Sequence, residues 1–158
     1  MTRWMILILT LALPALAMAQ DQDTQEVNRY VLTAAALTKY ANAVERLRPL
    51  SSQIANCDDE GDGGGSISEM AARIDRVPAA KAAIQSAGLT TREYVVFGFA
   101  AFQTGMAVWA LEQPGGRLPP GTSQANVDFY RSNRAKIEGI APLDDDCDGD
   151  AEDEPEDG

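Results

Sequence analysis

YVVFGFAAFQTGMAVWALE, residues 94–112, is the stretch whose reading decides the fold. Tyr94 to Leu111 is eighteen residues, and only Gln103 and Thr104 interrupt its apolar character. A helix apolar on every side belongs either at the centre of a bundle or in a membrane. Eighteen residues is the lower edge for crossing a bilayer. Gln103 and Thr104 fall in the middle of the segment, and Gly98 and Gly105 weaken it. The amphipathic segments on either side also need an apolar surface to cover. The stretch therefore reads as a buried central helix over 91–112, opened by the capping box Thr90-x-x-Glu93. A membrane span is the alternative. Burying Val95, Val96, Phe97, Phe99, Phe102, Met106, Val108 and Trp109 contributes about 1.5–3 kcal/mol for each large side chain and should dominate stability.

On the N-terminal side, Val27, Val31, Ala34, Leu37, Ala41, Val44 and Leu47 recur at steps of three and four. This predicts one long amphipathic helix over 24–48, stopped by Pro49. SSQIANCDDEGDGGGS, residues 51–66, follows as an acidic, glycine-rich loop. Ser66-x-x-Glu69 is a second capping box and opens a helix over 66–77 with Ile67, Met70, Ile74 and Val77 on its apolar side. Pro78 ends that helix and suits the first turn of a short helix over 79–87, which Gly88 closes. After the central helix, QPGGRLPPG at 113–121 is a break. Thr122 or Ser123 then caps a last helix over 123–138. Its Phe129, Tyr130, Arg131, Arg134 and Lys136, with Arg117, read as an amphipathic helix with a basic exposed side; a partner-facing patch is the sharper alternative. Beyond Pro142 the chain is acid, glycine and proline, which cannot bury enough apolar surface to order itself. The expected fold is all-α: a single domain at 20–142, with about four main helices around the central one, and a disordered acidic tail at 143–158.

MAARIDRVPAAKAAIQSAGLTTREYVVFGFAAFQTGMA (70–107) followed by LPPGTSQANVDFYRSNRAKIE (118–138) resembles a group of exported bacterial helical proteins of unknown function. The shared order is a helix, GL-T/S-x-R-E-Y, an apolar helix, and a proline-glycine break before an N-V-x-F-Y-R-x-N helix. The resemblance covers about residues 66–138. It implies export and an all-α fold, and it brings no catalytic residue.

The chain opens with MTRWMILILTLALPALAMAQ. Arg3, the apolar run Trp4–Leu13 and the A-x-A pattern Ala17-Met18-Ala19 make residues 1–19 a secretory signal peptide. The apolar run is too short for a stable span. Export places the mature chain in the periplasm or outside the cell. Without Arg3, 12 basic residues face 24 acidic ones. The acids are concentrated. Asp58, Asp59, Glu60 and Asp62 form one group, and the tail from Asp144 holds ten acids and no base. The remaining body is nearly neutral. Such a chain repels phosphate, which argues against a nucleic-acid partner. Export with two cysteines points to one disulfide, Cys57–Cys147.

There is no histidine. Its absence removes histidine-based nucleophile systems, histidine zinc and haem ligation, and the di-iron motif of helical bundles. GDGGGS at 61–66 is flanked by acids and followed by no lysine, so it does not suit phosphate. Glu45, Glu69, Glu93, Glu112 and Glu138 fall mostly near helix ends, where they act on caps and dipoles. The chain therefore reads as non-enzymatic, with no cofactor other than calcium. Asp144-x-Asp146-x-Asp148-Gly149 opens like a calcium loop, and Asp58-x-Glu60-x-Asp62-Gly63 with Glu69 in twelfth place has EF-hand spacing. Glu60, Gly65 and Pro155 each depart from that pattern, and solvated, disordered acid is the plainer reading. A Cys57–Cys147 bond would bring both segments together. The expectation is a weak composite calcium site from Asp58, Glu60, Asp62, Asp144, Asp146 and Asp148. The function expected is binding of a protein partner or a small apolar ligand. An envelope-associated structural protein using 94–111 at the membrane is the alternative.

Overall fold

The computed structural model describes residues 14–54 and 65–140, with side chains from residue 22 onward. Helix α1 spans Pro14–Arg29 and α2 spans Ala34–Leu47. A 3-10 turn at Arg48–Leu50 leads into the short α3, Ser51–Ile54. Then come α4 (Ile67–Asp75), α5 (Pro78–Ser86), α6 (Thr91–Glu112) and α7 (Gln124–Glu138). No strand occurs among the described residues, so the all-α fold class stands. The tail at 143–158, both cysteines and the acidic groups at 58–62 and 144–148 lie outside the described residues, as does most of the expected signal peptide.

α6 is the spine. Its Tyr94, Val95 and Val96 join a core cluster with Ala43, Val44 and Leu47 of α2, Ile67 of α4, and Ala80 and Ile84 of α5. One turn on, Phe97, Ala100 and Ala101 meet Leu32 and Leu37. Towards its C-terminus, Ala107 and Val108 pack with Val127 and Tyr130 of α7. Tyr40 of α2 stacks on both Tyr94 and Phe97, with ring centroids 4.9 and 4.5 Å apart. Gly98 lies against the tip of Tyr40, and Gly105 lies against Tyr130. These glycines let tyrosine rings approach the backbone of α6.

The helix ends follow the expected chemistry. In both capping boxes the reciprocal bonds form: the Ser66 and Thr90 amides each donate to the glutamate three residues on, at 2.7 Å. Pro78 occupies the first turn of α5. Gly88, with φ of +85°, closes α5 in a Schellman arrangement, its amide donating to the Gln85 carbonyl and that of Leu89 to the Ile84 carbonyl. At α7, Ser123 holds the N-cap position but its side chain makes no capping bond.

Two expectations are corrected. The helix expected over 24–48 is two helices, broken between Tyr30 and Thr33. Thr33 leaves helical geometry (φ −134°, ψ 155°) and caps α2 by accepting from the Ala36 amide. Periodicity did not show the break because the groups it frees are satisfied from far away in sequence. Asn126 of α7 is buried at 5 % exposure. It accepts from the Leu32 amide at 3.0 Å and donates to the Tyr30 carbonyl at 2.8 Å. Val31, placed on the apolar stripe by its spacing, is exposed at this corner. The second correction concerns α6, which is not covered all round. Val95, Val96, Phe97 and Val108 are buried as expected, whereas Phe99, Phe102, Met106 and Trp109 are exposed.

These assignments predict contrasting substitutions. Phe97→Ala should lower unfolding stability in urea by about 3–5 kcal/mol, and Phe102→Ala by no more than about 0.5 kcal/mol. Asn126→Ala leaves the buried Leu32 amide and the Tyr30 carbonyl without partners. It should cost about 2–4 kcal/mol by the same measurement, although it removes only one small side chain.

Candidate interaction face on the central helix

The exposed apolar side chains of α6 form one line. Phe99 is 37 % exposed, Phe102 69 %, Met106 51 % and Trp109 58 %. Their steps are three, four and three residues, so they lie on one face of the helix over about three turns. From Ala100 onward the opposite face carries smaller residues, Ala100, Ala101, Thr104, Ala107 and Val108, which are buried, and towards the N-terminus Tyr94, Val95, Val96 and Phe97 are buried as well. The Thr104 hydroxyl is satisfied within the helix by donating to the Ala100 carbonyl at 2.6 Å. Neighbouring helices thus pack on the narrow side of α6, and the bulky side is left outward.

Polar contacts fix the borders of this face. Gln103 Nε2 donates to Asn28 Oδ1 at 2.7 Å, which holds α1 along one edge. Beside Phe99 and Phe102 a groove of about 480 Å³ opens, lined also by Asp23, Val27, Ile67 and Gln103. Asp23 is anchored there because its Oδ2 accepts from the Ile67 amide at the start of α4, at 2.8 Å. Arg92 clamps the same corner. It pairs with Glu26 and with Asp23, and donates to the Ser68 hydroxyl at 2.8 Å. Hydrogen bonding to Glu26 and the charges of Glu26 and Asp23 raise the Arg92 pKa against the opposing effect of burial.

The remaining carboxylates of the body hold structure. Glu45 pairs with Arg48, and Arg134 pairs with both Glu112 and Glu138. Asp75 Oδ1 accepts from the buried Thr91 hydroxyl at 2.6 Å and Asp75 Oδ2 pairs with Lys81 at 3.1 Å, joining α4, α5 and α6. Glu69, twelfth in the expected calcium loop, has its carboxylate on the Ser66 amide. Among the described residues no cluster of cation-binding side chains occurs. Asp58, Glu60, Asp62, Asp144, Asp146, Asp148, Cys57 and Cys147 lie outside those residues, so the structure does not bring them together or keep them apart. Of the residues of the α7 patch, Arg117 and Arg131 are exposed. Tyr130 is buried and Phe129 half-buried, Arg134 is paired, and Lys136 donates to the Thr38 hydroxyl at 3.2 Å. The aromatic residues of that helix serve the core.

With the fold and this face described, comparison with known proteins adds no relative: the chain matches no family model, no curated protein and no solved structure. The candidate site rests on its own geometry.

Sequence reasoning missed the exposed line because average hydropathy does not distinguish the faces of a uniformly apolar helix. The usable signal was size. From Phe99 onward the four bulky residues share one face, and alanines, Thr104 and Val108 share the other.

The caps predict an acid response. The Ser66 amide and hydroxyl hold the Glu69 carboxyl below the ordinary 4.5, and the Thr90 amide and hydroxyl do the same for Glu93. The Thr91 hydroxyl, followed by Lys81, lowers Asp75 below 3.8. Each group stabilises the fold above its unfolded value, and that contribution disappears as pH falls from about 4.5 through the lowered folded values. Thermal melts at about pH 5 and about pH 3 should show a smaller drop in the Glu69→Gln/Glu93→Gln double variant than in the wild type.

Proposed function

We propose that this chain is an exported, non-enzymatic binding protein that uses the Phe99–Trp109 face of α6 to hold an apolar helix of a protein partner. The single observation that carries this reading is the unbroken apolar line on an otherwise packed helix. Scattered exposed apolar residues need no explanation, whereas a contiguous line rimmed by polar groups marks an interaction site. Its steps of three and four match the way an amphipathic helix seats its own apolar positions. The groove beside Phe99 extends the line towards Asp23 and Ile67 and offers room for a further side chain or a small apolar ligand. The reading of residues 1–19 as a signal peptide supports export to the periplasm or the outside.

The alternative, an envelope protein using this helix at the membrane, draws on the length and hydropathy of Thr91–Glu112, which suffice for a span. Two features favour the protein-binding reading. Half of the most apolar window of α6 is buried against the rest of the chain. The charged groups bordering the exposed line are paired, Arg92 with Asp23 and Glu26 and Arg134 with Glu112, so they offer no basic cluster to an anionic lipid surface.

The chain has two tryptophans, and only Trp109 remains once residues 1–19 are removed. Its emission therefore reports on the face directly. Titrating the dilute mature protein with a synthetic amphipathic helical peptide bearing leucine on one side should shift that emission to the blue. Phe102→Glu should weaken the apparent affinity by about tenfold or more, with unchanged circular dichroism. A wild-type emission that stays put throughout the titration, or an equal response from Phe102→Glu, contradicts the reading.

A further inference from the structure

We propose that the helix seated on this face is α6 of a second copy, packed antiparallel about a two-fold axis at the level of residue 104. The inference rests on the binding reading above and names its partner. The steps 99 to 102, 102 to 106 and 106 to 109 are three, four and three, an order that is the same in both directions along the helix. A two-fold interface requires such self-complementarity, because each contact must be returned by its mirror. In the antiparallel arrangement Phe99 faces Trp109 of the partner subunit, and Phe102 faces Met106 of the partner subunit. Every large side chain then meets an aromatic ring or a thioether, both favourable neighbours for an aromatic.

Charge agrees with this register. From Tyr94 to Leu111 the helix carries no ionisable acid or base other than the tyrosine hydroxyl, so no like charges meet across the centre. Antiparallel packing brings the Glu93 end of one α6 level with the Glu112 end of the other, where Glu93 is held on the Thr90 amide and Glu112 is paired with Arg134. Antiparallel packing also sets the positive N-terminal end of each α6 dipole beside the negative C-terminal end of the other. Gln103 and Ala110, which flank the line, are neutral, and Gly98 and Gly105 beside it are covered by Tyr40 and Tyr130 of the same chain.

Area sets the strength. An aromatic side chain buries about 150–250 Å² when fully covered. Scaled by their exposures, the four side chains offer about 450 Å² per copy. A standard stable interface takes about 800 Å² per partner. Gln103, Ala110, Gln113 and the lip of the groove make up part of the difference. The result is a reversible dimer with a dissociation constant on the order of 10–100 µM.

Sedimentation velocity of the mature protein from about 1 to about 200 µM tests this. The expected result is a monomer–dimer equilibrium with a midpoint in that range. Phe102→Lys and Met106→Glu should each weaken it by about tenfold or more, and both positions are exposed enough to leave circular dichroism unchanged. An equimolar mixture of the two variants should recover dimer. In the antiparallel register the introduced ammonium and carboxylate meet, whereas a parallel pair keeps them apart. A monomer at every concentration overturns the inference. So does a dimer insensitive to both variants, or a mixture no better than its components. If the wild type stays monomeric while the helical peptide still shifts Trp109, the second copy is the wrong occupant and the binding face stands. Flotation of the monomer with phosphatidylglycerol vesicles, abolished by Phe102→Lys, likewise overturns the second copy and assigns the face to lipid. If the peptide also fails, both readings fall.

Discussion

The structure depends on one packing constraint: a helix apolar on every side is enclosed at its start and, from Ala100 onward, held by its narrow face. Ala100, Ala101, Thr104, Ala107 and Val108 allow the neighbours of α6 to come close, and close approach gains dispersion energy along the whole contact. The two glycines extend this by admitting the rings of Tyr40 and Tyr130. Because α6 contributes residues to all three core clusters, they share one structural member. Local changes on its inner face are therefore felt along its length. The bulky outer face follows from the same arrangement, since helices seated against the small residues do not wrap round to the other side.

Polar chemistry in this chain goes into fixing ends and corners. Two capping boxes start α4 and α6, and Asp75 joins Thr91 to Lys81. Arg92 gathers Asp23, Glu26 and Ser68, so that the C-terminal half of α1 lies locked over the starts of α4 and α6. With those groups committed to structure, the part of the described surface that stands out is apolar. This is why the functional reading turns on a face and a groove rather than on an acid, a base or a nucleophile.

Much of the fold was legible in the residues. Capping boxes, Pro78, Gly88 and the break at 113–121 fixed the bounds of α4 to α7 to within about two residues, because each signal acts on its immediate neighbours. The break between α1 and α2 was not legible, since Asn126 supplies the compensation from the other end of the chain. The central position of α6 could be read from its hydropathy. Which half of it is buried depended on how closely the flanking helices approach, and side-chain size carries that information where average hydropathy does not. The expected acidic site gains no geometry here, because its residues lie outside the described ones. Glu69 alone shows where such spacing leads, to a helix cap.

Asn126 also orders events in time. The corner between α1 and α2 exposes a backbone amide and a carbonyl whose partners arrive only with α7. A chain made from its N-terminus cannot complete that corner until residue 126 has been supplied, although the other contacts of α1 with α4 and α6 need no part of α7. The last helix therefore acts as a latch that closes the corner between the first two.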